Sequence, residues 1–146
     1  HDVAMTAVET DVVIEGSGEK YAAWTFNGTM PGPVVRVTEG DTINFTLTNP
    51  TTNKNPHAMD FHAAEIDFLK NYRAVNAGET ISFTFVAKKP GIFFYHCGAP
   101  PMIQHIARGM FGAIVVATWW LFPPRRRGAR DREQPAEERK DVRRGA

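Results

Sequence analysis

The sequence predicts an all-β fold, an antiparallel β-sandwich, on three observations. Short runs rich in Val, Ile, Thr, Phe and Tyr recur along most of the chain, clusters of Gly, Pro and Asn separate them, and hydrophobic residues make up 42% of 146. Branched and aromatic side chains fit a pleated, half-buried surface, and frequent turn residues fold successive strands back on one another. With 12 Gly and 10 Pro the composition suits a compact, turn-rich protein, and the length suits a single domain with a real core.

The expected strands follow in order. Residues 10–15 (TDVVIE) stop at Gly16-Ser17-Gly18, and residues 21–26 (YAAWTF) stop at the turn-forming NGTMPGP. Residues 34–37 (VVRV) end at Glu39-Gly40-Asp41; residues 42–48 (TINFTLT) end at NPTTNKNP. Asn76-Ala77-Gly78 introduces residues 80–86 (TISFTFV), and KKPG separates these from residues 92–97 (IFFYHC); residues 111–116 (FGAIVV) are the last. Between residues 62 and 77, Ile66, Phe68, Leu69 and Tyr72 follow no clean period, so this segment is read as a loop with room for one helical turn.

The character of the chain changes after Ala117. Residues 1–117 are expected to form the domain, and the Arg-rich residues 118–146 a disordered tail. The formal charge of +1 conceals this division: residues 125–146 carry nine Lys/Arg against five Asp/Glu, the rest eight against eleven. An acidic body with scattered basic residues offers no nucleic-acid footprint. No run approaches the roughly 20 apolar residues that span a bilayer, and a chain starting at His1 with no signal-like run reads as a processed, soluble protein.

Chemistry concentrates in two clusters. HAMDFHAA contains His57, Asp60 and His62; HCGAPPMIQHIARGM contains His96, Cys97, His105 and Met110. A single cysteine excludes an internal disulfide and leaves Cys97 as a buried hydrophobe, a nucleophile or a metal ligand. Two imidazoles, a thiolate and a thioether are the donor set of a blue copper site, with His, His and Cys in a plane and Met as a weak axial ligand. His57, Cys97, His105 and Met110 fit those roles, with Met102 competing for the axial one. A Cys-His nucleophilic pair fits the surrounding histidines and methionine less well.

Strand alternation separates the remaining residues. Neighbours in a strand face opposite ways, so His57 and Cys97 turned inward would leave Asp60, His62 and His96 turned outward. That leaves two imidazoles and a carboxylate together; two His plus solvent make an incomplete second copper site, which a third ligand from another domain or subunit would complete.

At these residues the chain resembles the first cupredoxin domain of copper-containing nitrite reductases, relatives of the multicopper oxidases. The resemblance runs from about residue 12 to 116 and includes FNGTMPGPVVRVTEGD, NPHAMDFHAA and VNAGETISFTFVAKKPGIFFYHC. It implies a cupredoxin-like Greek-key β-sandwich, a type 1 copper on His57, Cys97, His105 and Met110, and a type 2 copper on His62 and His96. The family's active-site aspartate, which helps deliver protons to nitrite, matches Asp60. The family's third type 2 ligand comes from the second domain of a neighbouring subunit, so the resemblance also implies a homotrimer. Further implications are nitrite as substrate, nitric oxide as product, a small redox protein as electron donor, and a periplasmic or otherwise exported location. The alternative is a single-domain blue-copper electron carrier with only the type 1 site.

Overall fold

A computed structural model describes residues 1–118; the Arg-rich segment expected to be a tail lies outside the described residues from residue 119 onward. Eight strands and two short helices occur in the order β1 (Asp2–Val13), β2 (Lys20–Phe26), β3 (Val35–Thr38), β4 (Thr42–Thr48), β5 (Asp60–Phe61), α1 (Phe68–Asn71), β6 (Thr80–Val86), β7 (Gly91–His96), α2 (Met102–Ala107) and β8 (Phe111–Ala117). They make two four-stranded sheets, β2-β1-β4-β6 and β3-β8-β7-β5.

Alternation builds the core. Ile43, Phe45 and Leu47 of β4 and Phe83 and Phe85 of β6 face Val35, Val37, Phe61, Tyr95, Ile114 and Val116 of the other sheet, all buried. At its centre Phe61 packs edge-on or tilted against Phe45 at 4.9 Å, Phe85 at 5.3 Å and Tyr95 at 5.4 Å between ring centroids, the arrangement that ring quadrupoles favour.

The sheets are mixed, where the sequence suggested antiparallel pairing alone. β1 runs parallel to β4, and β3 parallel to β8. The cause is crossing between sheets: the chain leaves the first sheet after β2, lays down β3 in the second and returns as β4, so its partners are often not its neighbours in sequence. β1 is also eight residues longer at its start than the run at 10–15 suggested. Its first half, residues 2–6, pairs with β4; its second half, residues 7–13, pairs with β2. Beyond the last β4 pair, Thr6 with Thr48, the freed edge of β1 meets the loop preceding His57. There Asn53 donates to the Ala7 carbonyl at 2.9 Å and accepts from the Glu9 amide at 3.2 Å.

Tyr95 is fitted by two glycines. Its hydroxyl donates to the Pro33 carbonyl at 2.7 Å, and a methyl group on either Gly32 or Gly112 would collide with its hydroxyl or ring. Because the ring is fully buried, it has nowhere to move. Gly112→Ala should therefore destabilise the protein by about 1–3 kcal/mol, the usual cost of overpacking a filled core, read as a lower urea midpoint at unchanged slope.

Candidate metal centre

The polar side chains that the sequence singles out gather in two groups on opposite faces of the second sheet. The pivot is β7. Phe93, Tyr95 and then Cys97 turn toward the core, whereas Ile92, Phe94 and His96 turn away. β5 continues the pattern, with Phe61 opposite Tyr95 and Asp60 opposite His96.

The inner group is His57, Cys97 and His105, all buried, with ligand atoms within 4.8 Å of one another. His105 Nδ1 lies 3.3 Å from both His57 Nδ1 and Cys97 Sγ. Each side chain has its own anchor. The His57 amide and carbonyl both bond to Val75, at 3.0 and 2.8 Å. Cys97 follows the last residue of β7, and its amide donates to the Met110 carbonyl at 3.0 Å, which closes the loop between β7 and β8. Within that loop α2 points His105 back inward, and Gly109, at φ +114°, makes the turn where a Cβ would strike Met30.

Met110 is fully buried beside this closure, while Met102, the other methionine of the motif, is 48% exposed on α2. Met110, and not Met102, is therefore the buried methionine, and its backbone bonds both Cys97 and His105.

Three features of this group were not found from sequence. Trp24 lays its ring against His105 at 4.7 Å and His57 at 5.8 Å, with the Arg108 guanidinium 4.8 Å from its centroid. Glu9 reaches His57 Nε2 at 3.2 Å. Asn49 and Asn53 form a buried pair at 2.7 Å, and Asn49 also donates to the Val75 carbonyl that holds His57. Glu9 had a signal available: it shares strand parity with the buried Met5 and Ala7, and a charge on an inward face needs a partner.

Burial shapes the protonation of the group. It pushes the Cys97 thiol up to about 11, and it pulls His105 down to about 4, with repulsion from His57 adding to the effect. Burial also lowers His57, though Glu9 opposes it. At Glu9 burial alone would raise the carboxyl, but hydrogen bonds from Asn55, His57 and Lys54 outweigh it and hold the group below the ordinary range. Near neutrality the inner group is thus a neutral thiol facing neutral imidazoles. Soft sulfur and two imidazole lone pairs converging in a buried space suit copper, and loading a metal there must expel the thiol proton.

The outer group is Asp60, His62 and His96. His62 Nε2 and His96 Nε2 stand 3.0 Å apart, and Asp60 Oδ2 lies 3.9 Å from His96 Nε2. The other His96 nitrogen, Nδ1, is 3.1 Å from the Cys97 carbonyl oxygen, so Nε2 is the nitrogen turned toward His62. His96 is buried, Asp60 half-buried and His62 exposed, and the half-exposed Phe94 ring lies against both imidazoles. The group opens on the protein surface.

Comparison with known proteins agrees with this chemistry. The multicopper oxidase family model matches residues 7–119. A copper-containing nitrite reductase of Neisseria meningitidis is 41% identical over 115 residues, covering 78% of this chain and 29% of the relative. One from Rhizobium sullae is 41% identical over 117 residues, with coverage of 79% and 31%. Among solved structures, a copper nitrite reductase from Nitrosomonas europaea superposes with a TM-score of 0.80 at 57% identity, covering 81% of this chain and 41% of that one. The chain spans less than a third of the length of these curated relatives.

The protonation of the inner group predicts how metal-free stability varies with pH. Between about 4 and the ordinary histidine value of 6.5 the unfolded chain binds protons that folded His105 refuses, so stability falls as the pH drops through that window. Between the ordinary thiol value of 9.0 and about 11 the folded chain keeps a proton that the unfolded chain loses, so stability falls as the pH rises. Urea unfolding of the metal-free protein should show a maximum between these limits, with a shallower acid limb in His105→Gln.

Proposed function

The chain belongs to the multicopper oxidase family, and on that premise we propose that it acts as the first copper domain of a nitrite reductase, taking part in one-electron reduction of nitrite to nitric oxide. The observation that carries this reading is the division of its site residues into two groups on opposite faces, joined by the covalent His96–Cys97 step. A blue-copper carrier needs only the inner group. The outer pair of imidazoles beside a carboxylate, open to the surface, is what favours an enzyme.

In this reading His57, Cys97, His105 and Met110 hold a type 1 copper, and His62 and His96 supply two ligands of a type 2 copper. Copper is the cofactor of the family, and when bound it supplies a centre that accepts and passes single electrons. The chain's own residues do the rest. Burial of the inner group under Trp24 excludes water and limits rearrangement of its side chains. The peptide unit between His96 and Cys97 connects the groups by a short covalent path. Nitrite must take up one electron and two protons to leave as nitric oxide and water; Asp60, half-buried and beside His96, is placed to hold a proton near the substrate, the role of a general acid.

The exposure of His62 and of apolar side chains on the outward face of β7, Ile92 at 78% and Phe94 at 39% exposed, support an assembly in which another chain or domain covers this face and adds the missing ligand. A homotrimer with a small redox protein as electron donor, working in the periplasm or another exported location, completes the proposal. Among the described residues no helix is long and apolar enough to cross a membrane.

Copper content and electron paramagnetic resonance of the copper-loaded full chain test the reading. Two coppers, one with the narrow hyperfine splitting of a thiolate site and one ordinary, are expected with the outer site completed; one blue copper alone would mean an electron carrier or an enzyme domain cut off from the part that completes its outer site. His62→Ala should keep the blue absorption while the second copper and nitrite turnover fall to background, and loss of the blue colour in this variant would refute the two-face assignment. Cys97→Ser should abolish the blue absorption and leave the sandwich folded.

A further inference from the structure

One oxygen atom of Glu9 is unusually occupied. Its Oε1 accepts from the Asn55 amide at 2.8 Å, the Lys54 amide at 3.0 Å and Asn55 Nδ2 at 3.1 Å, and it also lies 3.2 Å from His57 Nε2. An oxygen that accepts three N–H groups has no proton to give, whatever the state of the other oxygen, so the contact to His57 requires that Nε2 carry the hydrogen. A neutral imidazole has only one N–H. The lone pair of His57 is therefore on Nδ1, the nitrogen 3.3 Å from His105 Nδ1.

We propose that Glu9 is the positioning residue of the inner site: its carboxylate fixes the tautomer and ring direction of His57, presents Nδ1 to the metal, and places a negative charge behind that ligand. This rests on the reading of His57 as a copper ligand. The same carboxylate oxygen ties β1 to the backbone at residues 54 and 55, so the strand, the loop and the imidazole are set together. Carboxylates behind metal-binding histidines raise ligand basicity, and removing one commonly costs 10–100-fold in metal affinity.

A purely structural role and this electrostatic one diverge in Glu9→Gln. The amide oxygen of Gln can still accept the N–H bonds of residues 54 and 55, so a structural role predicts no change in the copper site. The proposal predicts weaker Cu(II) binding by about tenfold or more, an upward shift of the reduction potential because a charge favouring Cu(II) is lost, and a displaced thiolate-to-copper absorption band. Nitrogen-15 shifts of His57 in the metal-free full chain should show the Nε2–H tautomer in the wild type, and a smaller fraction of it in Glu9→Gln. An Nδ1–H tautomer in the wild type would overturn the proposal even if the protein binds no copper. A folded Glu9→Gln with wild-type affinity, potential and spectrum would overturn it while leaving the copper reading intact. Failure of the wild type to form a blue copper site would instead count against His57 as a ligand.

Discussion

The covalent bond between His96 and Cys97 is the constraint on which the rest depends. In an extended chain adjacent side chains point to opposite faces, so a strand carrying both must serve the interior with one and the exterior with the other. β7 does this between two partners: just before β8, Met110 closes the inner side by accepting from the Cys97 amide, and β5 delivers Asp60 to the outer face directly opposite His96. The two groups cannot merge, and their separation is held by bonds that no conformational change breaks.

Holding three polar side chains together in a buried space calls for partners that satisfy them. Around the inner group the polar side chains are satisfied inside the fold: Asn49, Asn53 and Glu9 bond to backbone or to one another at the end of β1, and no buried side-chain nitrogen or oxygen among the described residues lacks a partner. Such a network is costly only when incomplete. It uses the stretch of β1 that β4 leaves unpaired, so the change of partner along that strand creates the edge that the loop leading to His57 then fills.

Much of this was legible from local pattern. Residues 42–48 and 80–86 alternate apolar and polar side chains cleanly, and the strands occupy those positions. β5, only two residues long, and α2, whose six residues contain one buried side chain, carry too little periodicity to be seen. The first half of β1, AMTAVE preceded by HDV, alternates weakly because its outward face mixes small and polar residues, so the strand parity that Glu9 shares with Met5 and Ala7 is a faint signal. Nothing local tells that the neighbours of Trp24 are two imidazoles.

The sequence by itself determined which residue types the chain offers a metal and which of them must face apart, because ligand chemistry belongs to side chains and alternation belongs to the extended backbone. Only the tertiary structure decided that Met110 is inside and Met102 outside, that His57 is held by Val75 from a distant segment, and that Glu9 lies behind its imidazole. Those are contacts between segments tens of residues apart, set by how the chain crosses between two sheets, and no periodicity within one segment records them.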